Sequence, residues 1–421
     1  MLSFNSVIIL FTDSRATVII LNIEMSIKNL LKRSNALNRL NARIKSYQQE
    51  KQGKRSIDYY CNDVSQRGLG IPRGIELIGA LSERLASREI YPVRKLKGDL
   101  HIFLAFGLNN WESVLPLALT PFGKVTTFSW QAKGFFDYRE DWQKWKDNLN
   151  AQMLNAFKKA YTEQPVDIMV GYLSDFNTKK ETLLEIGKNG VIIFNMNWDD
   201  KLYFAGNVNG QPRSVKGIVS GVDLNLTNAP DSCIKYFVEG GLAMFWPEAA
   251  HPDIHKPYDV PYEFDVSFVG GRYGWRPKFI AELQKMGIKV STFGNGWENG
   301  PLSDGEMVEL YSRSRINLGF AAIGHSKRLI CLKGRDFEVP MSGGLYLTQD
   351  NPELSLVYYV GKEIVTCRDE KDCAEKIRYF LNHPEEAARI KEAGRKRALR
   401  DHTWKKRFED IFKIAGFIKG V

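Results

Sequence analysis

Two periodicities alternate along the chain. Residues 100–106 (LHIFLAF) are a continuous apolar run closed by Gly107, and residues 111–119 have helical spacing stopped by Pro121. Residues 124–128 read as a second strand, 138–161 as a long helix, 166–170 (VDIMV) as a strand, 179–188 as a helix and 191–195 (VIIFN) as a strand after Gly190. Uninterrupted apolar strands between amphipathic helices predict a parallel sheet covered on both faces. Residues 245–261 then hold four prolines (Pro247, Pro252, Pro257 and Pro261) with little periodicity, which predicts a connector. Beyond it the pattern restarts with strands at 265–269, 289–293, 316–320 and 345–348. Between them lie helices at 277–286 and 304–314 and one opening near Phe337. The expected fold is α/β, two Rossmann-like domains facing a cleft, with no fixed-period repeat relating them.

The N-terminal region changes this picture. From Ile27, the residues Ile27, Leu30, Leu31, Leu37, Leu40, Ile44 and Tyr47 recur at helical spacing, predicting an N-terminal basic helical extension over 25–73. Residues 26–55 carry nine Lys or Arg against Glu50 alone, so most of the net charge of +10 is local and a general nucleic-acid footprint is not expected. Such a helix has two outcomes: peripheral contact with an anionic membrane surface or a partner, or packing on its own protein with its cations in water. The apolar runs within residues 1–24 are too short to span a bilayer, which needs roughly 20 apolar residues. They lack the order of a signal peptide, and 1–24 is expected to be a disordered lead or an over-extended start. The further expected divisions are 74–250 for the N-terminal domain, 251–263 for a linker, 264–401 for the C-terminal domain and 402–421 for a helix packing back on the first domain. Five dispersed cysteines with no C-x-x-C pair suggest neither a disulfide framework nor a zinc site, and a cytoplasmic, reducing location fits them.

Two segments carry candidate chemistry. Residues 266–276 (VSFVGGRYGWR) read as a strand, a Gly270–Gly271 turn and a helix start. A ligand can approach such glycines closely, and the guanidinium groups of Arg272 and Arg276 suit phosphate oxygens. In residues 333–344 (KGRDFEVPMSGG), Lys333, Arg335 and Glu338 lie around a helix start, and Gly343–Gly344 leads into the next strand. The two carboxylate oxygens of Glu338 can accept both hydroxyls of a ribose; alternatively these acids cap a surface helix. Asp199 and Asp200 follow the strand at 191–195 and are expected at the cleft edge, as a general base or acceptor ligand, or simply as turn residues. The turn at 107–110 (GLNN) is the first domain's counterpart. The aromatics Trp130, Phe135, Phe136, Tyr138, Trp142 and Trp145 are expected mostly in the core.

Residues from about 100 to 402 resemble the CgeB-type glycosyltransferase-like proteins, relatives of the group 1 glycosyltransferases with the GT-B fold. The resemblance rests on FVGGRYGWR (268–276), YSRSRINLGF (311–320), KGRDFEVPMSGG (333–344) and AGRKRALRDHTWKKRF (393–408). NMNWDDK (195–201), DLNLTNAPDSCIKYFVEGG (223–241) and FWPEAAHPDIHKPY (245–258) extend it into the first half. It implies transfer of a sugar from a nucleotide-diphosphate donor to a glycan, lipid or surface-polymer acceptor, with no metal and no cofactor beyond the nucleotide sugar as co-substrate. In this scheme Glu338 holds the ribose, Arg272 and Arg276 neutralise the leaving diphosphate, and Gly270, Gly271, Lys333, Arg335, Gly343, Gly344 and His325 line the donor site. Many group 1 enzymes place a second glutamate eight residues before the first; here that position is Ile330, with Lys327 and Arg328 in the same loop. The alternative is a non-catalytic relative that binds a sugar nucleotide or glycan.

Overall fold

The computed structural model describes residues 35–107, 112–135, 141–208, 211–212 and 214–418. Helices α1 (Asn35–Arg67) and α2 (Ile75–Ala86) precede the first sheet. That sheet is built from β1 (Leu100–Phe106), β2 (Gly123–Ser129), β3 (Ile168–Gly171), β4 (Ile192–Asn197), β5 (Leu224–Thr227) and β6 (Ala243–Phe245). Between these strands run α3 (Leu115–Leu119), α4 (Trp142–Glu163), α5 (Lys180–Gly187), α6 (Asp200–Tyr203) and α7 (Cys233–Val238). All neighbouring strands are parallel, in the order β2-β1-β3-β4-β5-β6. Every residue of β1 and β4 is buried, as expected for strands covered on both sides.

The second sheet contains β7 (Phe264–Val269), β8 (Ser291–Phe293), β9 (Ser314–Leu318), β10 (Tyr346–Gln349) and β11 (Val365–Cys367). It too is parallel, in the order β8-β7-β9-β10-β11. Its helices are α8 (Arg276–Lys285), α9 (Asp304–Arg313), α10 (Arg335–Met341), α11 (Glu370–Asn382) and α12 (Pro384–Asp401), and α13 (Trp404–Ile414) follows. In each sheet the order reverses between a first and a third strand, β1/β3 and β7/β9. Open parallel sheets leave a ligand crevice beyond the carboxyl ends of such a strand pair.

Each sheet has an apolar layer on both faces. In the first lobe Leu81 and Leu85 of α2 join Phe408 and Phe412 of α13 on one side, and Met153, Phe157, Leu183 and Ile186 form the other. Trp130 and Phe135 belong to that second layer. In the other lobe Phe279, Leu283 and Ile377 cover one face, and Leu310, Phe337 and Val339 the opposite one.

The strand β5 escaped the periodicity reading because LNLT interleaves polar residues with apolar ones. Two of its polar atoms find partners inside: Asn225 Nδ2 donates to the Leu242 carbonyl at 3.1 Å, and Thr227 Oγ1 accepts from the Ala229 amide at 3.1 Å. The basic extension differs more. Leu40, Ile44 and Tyr47, expected to form its apolar face, are 52%, 44% and 64% exposed. The helix docks instead through its later turns. Gly53 lets Leu329 approach so closely that a Cβ would lie 2.7 Å from it, and Tyr60 donates to Glu239 at 2.7 Å. Gln49 accepts from the His325 amide at 2.7 Å and Glu50 from the Lys327 amide at 3.2 Å, so α1 touches both lobes. The turn expected at 107–110, the start of the 111–119 helix, residues 1–34 with the opening of the basic helix, and Phe136 and Tyr138 lie wholly or partly outside the described residues.

The chain returns to the first lobe at its end. A short parallel bridge joins Ala250 to Thr403, with Ala250 N to His402 O and Trp404 N to Ala250 O both at 3.1 Å. From there α13 lies along the first sheet, where the Phe412 ring meets Phe122 edge-on at 5.1 Å and Phe408 lies 5.4 Å from Trp246. Phe412 is fully buried, so Phe412→Ala is expected to destabilise the chain by about 3–5 kcal/mol. Chemical denaturation checks this, and a loss below about 1 kcal/mol would show that α13 is a loosely attached appendage.

Candidate functional site

The carboxyl ends of β7 and β9 deliver the second lobe's polar groups to the interlobe cleft. After β7 the chain turns through Gly270, whose φ of 152° suits a residue without a Cβ, and enters α8 at Arg276. Arg276 is 4% exposed; its Nη1 donates to the Gly271 carbonyl at 3.1 Å, and its guanidinium lies 4.1 Å from the Tyr273 ring centre. Burial lowers its pKa, and the nearby Arg335 adds to that, with Tyr273 opposing. Arg335 comes from α10, and a Cβ on Gly270 would stand 3.4 Å from its Nη2. Among the described residues neither Arg276 nor Arg335 forms an ion pair within 4.0 Å, which leaves two cations facing one glycine turn without a contacting acid.

Glu338 projects from α10 next to them and accepts a long hydrogen bond from Tyr311 at 3.5 Å. One residue before the helix, Gly334 provides an opening: a Cβ there would lie 2.9 Å from Glu338 Oε1 and 3.6 Å from Glu248 Oε1. Lys333 forms an ion pair with Asp199 of the first lobe, and Cys331 Sγ is 3.2 Å from the same carboxylate oxygen. Burial alone would lower the Lys333 pKa, but the Asp199 carboxylate outweighs it and holds the ammonium above its ordinary value. Asp199 has a φ of 63°, one of two non-glycine left-handed residues among those described, so the backbone is strained where it presents this side chain. Asp336, fully buried, accepts from the Lys333 amide at 2.7 Å, and burial pushes its carboxyl up to about 6.

The structure thus brings Asp199, Gly270, Gly271, Arg276, Lys333, Arg335 and Glu338 to one cleft. His325 borders it through Tyr273, with ring centres 6.4 Å apart; its buried Nδ1 has no partner among the described residues, and burial followed by Lys45 lowers its pKa. Arg272 lies on the outer side of the same turn, exposed and stacked 5.5 Å from the ring centre of Trp297, whose Nε1 donates to the Gly270 carbonyl at 2.7 Å. Three expected residues stand elsewhere. Asp200 is completely buried behind Asp199, accepting from Tyr236 at 2.7 Å, with its pKa raised by burial, so it belongs to the first lobe's interior. Gly343 and Gly344 close α10 at its far end: Gly343 has a φ of 73°, and a Cβ on Gly344 would meet Asn317 Nδ2 and Val339 Cγ1 at 2.8 Å. The left-handed backbone accounts for Gly343 and close packing for Gly344, and a donor contact from them has no geometric support. Ile330 forms an antiparallel bridge with Ala322, and Lys327 is engaged with Glu370 at 3.5 Å.

Glu248 and Tyr172 were not singled out from the sequence. Tyr172 follows β3, and burial, then the carboxylates of Asp199 and Glu248, raises its pKa. Glu248 belongs to the proline-rich connector, where an acid ordinarily faces water; here it is 8% exposed. The available signal was its place between Pro247 and two alanines, a poor setting for a solvated side chain. Among the described residues no group of three or more His, Cys, Asp or Glu could hold a metal ion, and no helix is long and apolar enough to cross a membrane.

Comparison with known proteins fits this geometry. Residues 276–413 match the family described as glycosyl transferase-like. Among solved structures the chain is similar to an alpha-glucosyltransferase in complex with UDP and a 13-mer DNA, with a TM-score of 0.54 and 12% identity over 76% of this chain and 100% of that one. It is also similar to a glycosyltransferase from Rickettsia africae, with a TM-score of 0.53 and 11% identity over 75% and 98% of the two chains. Sucrose-phosphate synthase from Thermosynechococcus elongatus has a TM-score of 0.52 and 12% identity over 74% and 98%. Comparison with curated protein sequences finds no match. At such identities the likeness is one of fold, and the fold is GT-B: two parallel α/β lobes about a cleft.

The pairing of Lys333 with Asp199 yields a stability prediction. Lys333→Met keeps the length but leaves Asp199 without its cation, and is expected to destabilise the chain by about 1.5–3 kcal/mol. Asp199→Asn added to it should recover part of that loss in a denaturation double-mutant cycle; strictly additive losses would mean that the contact carries no coupling.

Proposed function

We propose that the chain is a glycosyltransferase, moving a glycosyl group from a nucleoside-diphosphate donor to a hydroxyl of a glycan, lipid or surface-polymer acceptor without needing a metal ion. The observation that carries this reading is the meeting of Arg276 and Arg335 at the Gly270–Gly271 turn, with Glu338 on the same helix as Arg335 and Lys333 just before it. Arg276 and Arg335 have no contacting acid among the described residues, so a bound dianion would complete a set of charges that the protein leaves open. The match of residues 276–413 to a glycosyl transferase-like family supports the same reading.

In the reaction, the bond between the anomeric carbon and the diphosphate oxygen breaks, and its electron pair leaves with the diphosphate. The acceptor oxygen bonds to the anomeric carbon and gives up its proton to solvent water. Negative charge grows on the leaving group while the sugar takes oxocarbenium character, so preorganised cations stabilise the transition state more than the bound donor. Arg276 and Arg335 do this directly at the turn. Lys333 is positioned by Asp199, whose carboxylate is thereby committed to holding a cation and is a poor general base. Glu338, with two acceptor oxygens, takes the ribose hydroxyls. The cleft's position outside the carboxyl ends of both sheets gives the acceptor a route from the first lobe.

Glu338→Ala is expected to weaken nucleoside-diphosphate binding by about 1–3 kcal/mol in calorimetry, the range for hydrogen bonds to a charged group. Arg276→Ala should lower kcat on the order of 10²-fold while changing donor affinity less. Both are read against a panel of sugar nucleotides by release of the nucleoside diphosphate. Binding without release, for any donor and acceptor pool, would reduce the chain to a sugar-nucleotide-binding protein.

A further inference from the structure

Glu248 is held with more care than a connector residue requires. Immediately before it, the Pro247 carbonyl accepts from Arg407 Nε at 3.1 Å, and Trp246 Nε1 donates to the Arg407 carbonyl at 3.0 Å. Two residues after it, Ala250 is bridged to His402 and Trp404 through both its backbone groups. The segment is therefore pinned on both sides by the start of α13, and Glu248 has little freedom to turn away from the cleft. It is 8% exposed, and no described residue gives it a hydrogen bond or ion pair. Its Oε1 and Glu338 Oε1 approach the same point, the place where a Cβ on Gly334 would be. The absence of that Cβ lets the two carboxyl groups converge at the start of α10.

Two carboxylates this close to one site do not both ionise easily. The groups facing Glu248 are Lys333 and Glu338 with Asp336 from the α10 region, and Asp199 and Tyr172 from the first lobe. Burial raises the Glu248 pKa well above its ordinary value; Lys333 opposes this, while Glu338 and Asp199 reinforce it. Lys333 is already paired with Asp199. A neutral carboxyl beside an ionised one offers one donor and several acceptors, which matches a vicinal diol: two hydroxyl protons to give, and lone pairs to receive.

We infer that Glu248 and Glu338 form a clamp for the vicinal diol of the donor's ribose. Glu338 accepts the hydroxyl protons, and Glu248, as the neutral acid, donates its own proton to one hydroxyl oxygen. The clamp rests on the donor-site reading above and adds a second, proton-bearing residue to it. Because the neutral form binds, affinity is retained at low pH and lost as pH rises through the raised Glu248 pKa.

The test uses the full chain and calorimetry. UDP, GDP, ADP and CDP are screened by thermal shift, and the best is compared with its 2′,3′-dideoxy analogue. Glu248→Ala is expected to weaken the intact nucleotide by about tenfold or more, whereas Glu248→Gln, which keeps a donor of similar size, stays within about threefold of wild type. Against the dideoxy analogue, wild type and Glu248→Ala should agree within about threefold. Wild-type affinity should fall as pH rises above the ordinary carboxylate range, and that of Glu248→Gln should not. Equal losses by Glu248→Ala on both ligands, a Gln variant as weak as the Ala variant, or an Ala variant as tight as wild type would each overturn the clamp. Glu338→Ala separates the two levels. If it weakens the intact nucleotide while Glu248→Ala does not, only the clamp fails; if it binds like wild type, the donor-site reading fails as well.

Discussion

Lys333 and Asp199 reach each other from opposite lobes, and the polar surface of the cleft is organised around that contact. Each end is held by local backbone geometry. The Lys333 amide donates to the buried Asp336 carboxylate, and Asp199 sits in a left-handed conformation that a non-glycine residue adopts only when its surroundings impose it. This ion pair joins the two switch-point crevices across the lobe boundary. It also neutralises Asp199, so the carboxyl groups of Glu248 and Glu338 do not share the cleft with a second uncompensated charge.

Topology brings the remaining groups to the same place. Both sheets reverse their strand order at the strand pair whose carboxyl ends face the cleft, and the loops there have no partner strand to cover them. The loop after β7 brings Gly270, Gly271 and Arg276, and the long segment after β9 brings Lys333, Gly334 and Arg335. Glycine at 270 and 334 has a specific consequence: a side chain at 270 would crowd Phe268 and Arg335, and one at 334 would crowd the two glutamates. Helix α1, the Ala250–Thr403 bridge and α13 tie the lobes together from outside.

Much of the fold was legible in the chain because strands buried on both faces are uninterrupted apolar runs. Residues 100–106 form β1 as expected, and the strands ending at Val269 and Phe293 end where the pattern ended. Where buried strands carry hydrogen-bonded Asn and Thr, as in β5, the pattern was silent. The site was legible at the level of segments and less so of side chains. Arg276 and Arg272 have the same chemistry four positions apart, yet one is buried at the turn and the other stacks on Trp297; sequence spacing does not encode a side chain's direction in an irregular turn. Asp199 and Asp200 diverge for a simpler reason, since consecutive residues at a helix start point to different sides, one to the cleft and one to the interior. Glu248 was hidden because the groups around it come from distant parts of the chain, Asp199 on one side and Lys333 to Glu338 on the other, and the backbone just before it is held by α13, more than 150 positions later.

A crystal structure of the chain with a bound nucleoside diphosphate tests the central claim most directly. The account predicts diphosphate oxygens at about 3 Å from the Arg276 guanidinium and the ribose hydroxyls at similar distances from Glu338. A nucleotide seated away from the interlobe cleft, or within it but beyond hydrogen-bond reach of both side chains, would contradict the account.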